Sequence, residues 1–189
     1  MRVSHSAGIS IGIIGAFALA ISGCNNKQPA VNAPAGVTDA ASIELSLVDR
    51  PGYDARVAKH RGKVVLVDFW ATWCGPCVEQ LLHTMELADQ YRDRGLTVIC
   101  VSCDEPSELE PVRALLQSKG AGVVENLVSQ FGGSQQSMEA FEISSGALPA
   151  YKLYDRNGKL RQAFELNLQA KRQFTPKDIE AAVEALLEE

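Results

Sequence analysis

Two cysteines, Cys74 and Cys77, stand on either side of a Gly-Pro dipeptide, directly after an apolar run at 64–70. The run is rich in β-branched residues, which is typical of a strand covered on both faces, as in a parallel sheet. Pro76 is tolerated in the first turn of a helix but not in its interior, so it predicts a helix that starts at Cys74. The sequence therefore predicts an α/β fold in which two thiols lie where a buried strand passes into a helix.

A Cys-x-x-Cys pair in that position can exchange two electrons with a disulfide of another molecule. Free N–H groups and the helix dipole favour a thiolate over a thiol at the helix start, so Cys74 is expected to be the attacking sulfur. Cys77, one turn further on, is then the resolving thiol. A zinc site is the alternative, but the chain has no second Cys or His pair at the zinc-ribbon spacing.

Residues 67–77, Val-Asp-Phe-Trp-Ala-Thr-Trp-Cys-Gly-Pro-Cys, resemble the active-site segment of thioredoxin. Within that superfamily the chain is similar to the TlpA-like and ResA-like extracytoplasmic thiol-disulfide oxidoreductases. The resemblance implies a thioredoxin fold over 42–189, with a mixed central sheet flanked by helices and an insertion between the third strand and the terminal hairpin. It also implies reduction of protein disulfides, without a bound cofactor or metal, because the Gly-Pro dipeptide is similar to that of the reducing members.

The predicted elements agree with this fold class. Strands are expected at 43–48, 64–71, 96–102, 151–154 and 160–164, and helices at 53–60, 74–94, 107–118, 137–141 and 175–187. Residues 123–128 are a candidate extra strand. The Asn157-Gly158 dipeptide predicts the turn of the terminal hairpin.

The resemblance also implies a set of substrate-binding residues. Leu148-Pro149 stands where the family has a cis-proline that faces the two cysteines, and such a bond would expose backbone groups to an extended substrate segment. Trp73, Gly75 and Pro76 are expected to contribute to the rim of the same site. Trp70 is expected either to pack beneath that rim or to be a plain core residue.

Asp68 is a carboxylate inside the buried run, and burial should raise its pKa. We expect it to accept the proton of Cys77 during catalysis, whereas the alternative is a side chain that reaches water. Glu105 matches the position of an active-site glutamate in ResA-like proteins and is a second candidate carboxylate.

Cys100 and Cys103 form a second Cys-x-x-Cys, within and at the end of a predicted strand. Odd spacing along a strand directs the two side chains to opposite faces, which disfavours a disulfide between them. One interpretation is that both are small buried apolar residues. The other is that Cys103, at the strand end near the site, exchanges with Cys74.

The N-terminus has Arg2 and His5 before an apolar stretch of about 15 residues, shorter than the ~20 of a membrane span. Residues 1–23 are expected to be a lipoprotein signal peptide, because the segment ending in Cys24 resembles a bacterial lipobox in which that cysteine is lipidated. An ordinary signal peptide is the alternative. Residues 24–41, rich in Asn, Pro, Ala and Gly, are expected to be a flexible tether to the domain at 42–189.

The net charge is −5, and the chain has no basic run, which argues against nucleic acid as a partner. The expected partners are disulfide-bearing protein substrates, the membrane through the lipid anchor, and a membrane electron donor that re-reduces the cysteines. The expected location is extracytoplasmic, facing the periplasm in a diderm bacterium. Two other functions stay open, a non-catalytic binding module and thiol-based copper handling. A peroxidase is less favoured, because the chain has no Pro-x-x-x-Thr-x-x-Cys pattern.

Overall fold

The apolar run before the cysteines is strand β2, Val64–Trp70, and all of its residues are buried. A computed structural model describes residues 43–167 and 169–189 of the chain. In it, β2 pairs in parallel with β3, Leu96–Ser102, and antiparallel with β5, Ala150–Tyr154. The predicted buried strand is therefore confirmed, and it has a neighbour on each side.

The other elements follow the predicted order along the chain. The remaining strands are β1 Ser46–Val48, β4 Glu125–Ser129 and β6 Leu160–Phe164. The helices are α1 Arg50–Lys59, α2 Gly75–Tyr91, α3 Leu109–Ser118, α4 Gln135–Ala140 and α5 Pro176–Leu187. The candidate extra strand is thus confirmed as β4, and the fold is the predicted α/β class.

The six strands form one mixed sheet in the order β1-β4-β3-β2-β5-β6. β1, β4, β3 and β2 run parallel, and the terminal hairpin β5–β6 is antiparallel to them. The inserted strand β4 lies between β1 and β3, so the insertion extends the sheet itself.

Several boundaries differ from prediction by one to three residues, and two of these differences have clear physical reasons. The first strand was expected at 43–48 but covers only Ser46–Val48, because its ladder with β4 is limited to those residues. The active-site helix was expected to reach residue 94, but its last turn, Arg92–Arg94, tightens into a 3-10 turn. Gly95 follows with φ 97°, a backbone conformation that favours glycine, and ends the segment as predicted.

Each face of the sheet near β2 has its own layer. Tyr53 of α1, Phe69 of β2 and Phe141 after α4 pack as an aromatic cluster on one face. On the other face α2 lies against the sheet, where Thr84 of the helix bonds to Asp68 of β2. None of the helices within the described ranges is long and apolar enough to cross a membrane. The predicted signal peptide at 1–23, the lipidation site Cys24 and the tether at 24–41 lie outside the described residues.

Candidate active site

Cys74 and Cys77 are joined by a disulfide bond at the start of α2, with their Cα atoms 5.3 Å apart. Cys74 is the N-cap residue of the helix, in an extended conformation, and Pro76 lies in the first turn as predicted. Cys74 is 7 % exposed and Cys77 only 1 %. Cys74 is therefore the sulfur that a visiting disulfide can reach first, and Cys77 lies behind it.

The start of α2 supplies the electrostatic setting of that sulfur. Among the described residues, no side chain at the N-cap accepts a hydrogen bond from the first backbone N–H groups of α2. Free N–H groups and the helix dipole stabilise negative charge at this point. In the reduced protein they favour the Cys74 thiolate, which is the nucleophilic form.

Leu148 and Pro149 lie beside the same end of β2. The Leu148–Pro149 peptide bond is cis, as predicted. Ala150 pairs with Phe69 at the start of β5, so Pro149 falls beside the last residue of β2, from which the chain leads to Cys74. Leu148 is half-buried and Pro149 buried. The structure thus brings the predicted proline to the end of the sheet that carries the cysteines.

Asp68 is buried in the middle of β2, with 1 % of its surface exposed. Its Oδ2 accepts a 2.7 Å hydrogen bond from Oγ1 of Thr84, whereas Oδ1 has no hydrogen-bond partner among the described residues. Burial raises the pKa of Asp68 to about 7, and the hydrogen bond from Thr84 partly opposes that rise. The alternative of a side chain that reaches water is therefore wrong.

Asp104 is a buried carboxylate that the sequence reasoning did not single out. It has no exposed surface and lies just past the end of β3. The backbone N–H of Thr72 donates to both of its oxygens, at 3.1 and 3.0 Å, and Ser102 Oγ donates to Oδ2 at 2.7 Å. The Thr72 hydroxyl also donates to Oδ1. Asp104 therefore anchors the loop that leads from β2 into Cys74.

Trp73 and Glu105 both lie against the loop between β4 and α4. Trp73 is 59 % exposed. A Cβ atom on Gly133 would lie 3.0 Å from Cζ2 of Trp73, and the Gly133 N–H donates to Oε1 of the exposed Glu105 at 3.4 Å. The insertion thus brings Glu105 and Trp73 to one loop on the rim of the site. Trp70, by contrast, is fully buried in the core.

Cys100 and Cys103 are free and fully buried. Burial raises the pKa of the Cys103 thiol to about 12, with a smaller contribution from Asp104. Burial likewise raises the pKa of Cys100 well above its ordinary value. Both thiols therefore stay protonated at neutral pH, which supports the interpretation as buried apolar side chains and not as exchange partners of Cys74.

Comparisons with known proteins agree with this geometry. The model of the Redoxin family matches residues 25–183. The thiol-disulfide oxidoreductase ResA of Geobacillus kaustophilus is 28 % identical over 151 residues, which cover 76 % of this chain and 74 % of that protein. ResA of Geobacillus thermodenitrificans is 29 % identical over 127 residues, or 63 % of this chain and 64 % of the relative, slightly under two thirds of its length.

A solved structure shows the same fold. The thioredoxin domain of a thiol-disulfide oxidoreductase from Bacteroides vulgatus superposes with a TM-score of 0.54 at 22 % identity, covering 69 % of this chain and 83 % of that one. The resemblance to the thioredoxin superfamily, predicted from residues 67–77, is therefore confirmed, and so is the predicted fold.

Proposed function

The chain belongs to the Redoxin family and is a thiol-disulfide oxidoreductase, and from that premise we propose that it reduces disulfides of protein substrates. The observation that carries the proposal is the Cys74–Cys77 disulfide at the start of α2, with its outer sulfur on Cys74. The Gly-Pro dipeptide between the cysteines is similar to that of the reducing members of the superfamily, which supports the reducing direction.

The reaction proceeds by two exchanges of sulfur–sulfur bonds. In the reduced enzyme the Cys74 thiolate attacks a substrate disulfide, so that a Cys74–substrate bond forms, the substrate bond breaks, and one substrate thiolate leaves and takes up a proton. The Cys77 thiolate then attacks Sγ of Cys74, which forms the Cys74–Cys77 bond and releases the second substrate thiol. Two electrons pass from the enzyme to the substrate, and the enzyme ends as the disulfide seen in the structure.

Cys77 must lose its thiol proton before the second exchange, and Asp68 is the proposed acceptor. Its raised pKa, about 7, suits a group that both takes and returns a proton near neutral pH. Glu105 is exposed, so we place it at the rim, beside Trp73, as a secondary carboxylate.

The substrate segment is proposed to lie in an extended conformation across the rim of the site. Backbone groups around Leu148 and Pro149 pair with it, while Trp73, Gly75 and Pro76 border the Cys74 sulfur. Support comes from the exposure of Trp73 and of the Gly75-Pro76 dipeptide, beside the cis bond at Pro149.

We infer that the protein works outside the cytoplasm, attached to a membrane through a lipid on Cys24. The charged, apolar and cysteine-ending pattern of residues 1–24 supports this location. Because such a compartment is oxidising, the Cys74–Cys77 pair needs a dithiol electron donor, which we place in the membrane. Membrane fractionation of full-length protein with Cys24→Ser as the comparison tests the anchor: the variant is expected in the soluble fraction, and equal membrane retention would contradict the anchor.

Trapping the mixed disulfide tests the reaction. Reduced Cys77→Ser protein is mixed with a small disulfide protein such as insulin, and peptide mass spectrometry locates the adduct. A substrate chain linked to Cys74, together with no turnover by Cys74→Ser, is the expected result. An active Cys74→Ser variant, or an adduct on Cys100 or Cys103 alone, would rule the proposal out.

A further inference from the structure

The two oxygens of the Asp68 carboxylate have different surroundings. Oδ2 accepts the 2.7 Å hydrogen bond from Oγ1 of Thr84, a side chain that is itself only 2 % exposed. Oδ1 is buried and has no hydrogen-bond partner among the described residues. Burying a carboxylate oxygen without a hydrogen bond costs folding free energy, so such an oxygen is a candidate for a functional role.

Thr84 lies on the same face of α2 as the resolving cysteine. It follows Cys77 by seven positions, which is about two helical turns and about 10 Å along the helix axis. The hydrogen bond from Thr84 to Asp68 shows that this face of α2 packs against β2. Cys77 and Thr84 thus face the same strip of the sheet from one rigid helix.

The strip of the sheet around Asp68 is defined by strand register. Cys100 of β3 and Tyr151 of β5 are the direct neighbours of Asp68 on either side, so all three side chains share a face. The Tyr151 hydroxyl donates to Oε1 of Gln80, one turn beyond Cys77 on α2, at 3.3 Å. The titratable groups beside Asp68 on this face are therefore Cys100 from β3 and Tyr151 from β5, and Cys77 belongs to α2, the helix that covers the face. Phe174 packs against Tyr151.

We propose that Thr84 is a positioning residue for the second exchange: its hydroxyl anchors Oδ2 of Asp68 and so presents Oδ1 as the oxygen that takes the proton of Cys77. This inference rests on the proposed function, and it adds a defined geometry to it. In the step itself the S–H bond of Cys77 breaks, an O–H bond forms at Oδ1, and the resulting thiolate attacks Cys74. The proton moves directly or through one bridging water.

The Thr84 hydroxyl also stabilises the charged form of Asp68 in a buried place, where one hydrogen bond has a large effect. Val has nearly the shape of Thr but no donor, so Thr84→Val removes this support with little change in volume. Without the donor the carboxylate holds its proton more tightly, and the reaction needs a higher pH. Thr84→Ser keeps the hydroxyl and should behave like the unchanged protein.

The test compares pH profiles of the second exchange between pH 5 and pH 9. The release of reduced insulin chains is followed for the unchanged protein, Thr84→Val, Thr84→Ser and Asp68→Asn. The matched control is Thr97→Val, because Thr97 lies an odd number of positions from Cys100 on β3 and so points to the opposite face. A second readout, independent of activity, is the NMR titration of the Asp68 carboxyl carbon in the oxidised protein.

We expect the midpoint of both the kinetic profile and the NMR titration to rise by about one pH unit in Thr84→Val, roughly tenfold in proton affinity. Thr84→Ser and Thr97→Val should keep the original midpoint, and Asp68→Asn should lose the inflection. If Thr84→Val does not fold, Thr84→Ala provides the same comparison.

An unshifted titration in Thr84→Val, while Asp68→Asn still removes the inflection, would overturn the role of Thr84 and leave the proposed function intact. A shifted NMR titration with an unshifted kinetic profile would also overturn it, because Oδ1 would then not receive the proton. Failure of the unchanged protein to reduce insulin at any pH would instead refute the proposed function, and this inference with it.

Discussion

The backbone N–H of Thr72 donates to both carboxylate oxygens of Asp104, at 3.1 and 3.0 Å, across the ends of the neighbouring strands β2 and β3. Thr72 lies two residues before Cys74, so this contact determines where the chain enters α2. The reactive sulfur is therefore positioned from both sides, by the helix that follows it and by a buried carboxylate just past the end of β3.

Asp104→Asn should weaken this anchor. An amide can accept only through its oxygen, so it cannot serve the Thr72 N–H, the Thr72 hydroxyl and the Ser102 hydroxyl as the carboxylate does. We expect a loss of about 2–3 kcal/mol in the free energy of unfolding of the oxidised protein, and roughly tenfold slower attack by Cys74. Denaturant titration and stopped-flow reduction of a disulfide measure the two effects.

The neighbouring carboxylate offers the control for that experiment. Glu105 is exposed, so Glu105→Gln should change stability by less than about 0.5 kcal/mol. Equal stability losses in the two variants would show that the Asp104 contacts are not what anchors the loop.

Asp68→Asn should stabilise the protein, and more so at high pH. The pKa of Asp68 is raised from 3.8 to about 7, so between these values the folded state binds more protons than the unfolded state. Stability therefore falls as the pH rises through this window. Asn does not titrate, so the increase in the free energy of unfolding of Asp68→Asn over the unchanged protein should be about 2–3 kcal/mol larger at pH 8 than at pH 5. Urea unfolding of the oxidised proteins at both pH values checks this. An equal gain in the free energy of unfolding at the two pH values would show that the pKa of Asp68 is not raised.

Gly133→Ala should disturb the rim of the site without unfolding the domain. Its new Cβ would lie 3.0 Å from Cζ2 of Trp73 and 3.3 Å from the carbonyl oxygen of Cys103, so the indole must shift. We expect a change in the fluorescence of the exposed Trp73 and about a threefold to tenfold rise in KM for a protein disulfide.

The control for that variant is Gly122→Ala, where the nearest atom to the new Cβ is Ile43 Cδ1 at 4.0 Å. It should leave both the fluorescence and KM unchanged. If Gly133→Ala also left both unchanged, the loop between β4 and α4 would have no part in shaping the rim.

Cys100 and Cys103 should resist alkylation in the native protein. Both are fully buried, and burial raises the pKa of each thiol, so little thiolate is present at pH 8. After brief treatment of reduced protein with iodoacetamide, mass spectrometry should find Cys74 labelled first and the two strand cysteines labelled only after unfolding. Rapid labelling of Cys103 in the native protein would instead support the interpretation that Cys103 exchanges with Cys74.

Local signals explain why part of this site could be predicted from sequence. The apolar run Val64–Trp70, the cysteine pair and Pro76 lie within a short stretch, so the strand, the helix start and the thiols follow from neighbouring residues. Asp68 was identifiable for the same reason, since a carboxylate within a buried run is conspicuous.

The remaining contacts depend on pairings between distant segments. Asp104 meets Thr72 only because β3 lies beside β2 with a particular register. The position of β4 between β1 and β3 is likewise set by strand pairing, and the sequence pattern of residues 123–128 does not predict it. The sequence indicates only weakly that Thr84 belongs to the site, through its position two turns after Cys77 on the same helix face. Its hydrogen bond to Asp68 depends on how α2 packs on β2.

The reduction potential of the Cys74–Cys77 couple tests the central claim most directly. Equilibration with defined thiol–disulfide buffers, followed by mass spectrometry, should give one two-electron transition between the dithiol and a Cys74–Cys77 bond. We expect a potential closer to about −270 mV, the value for the reductant thioredoxin, than to about −120 mV, the value for a strongly oxidising thiol–disulfide protein. A potential near the second value, or no transition at these two cysteines, would contradict the assignment as a disulfide reductase.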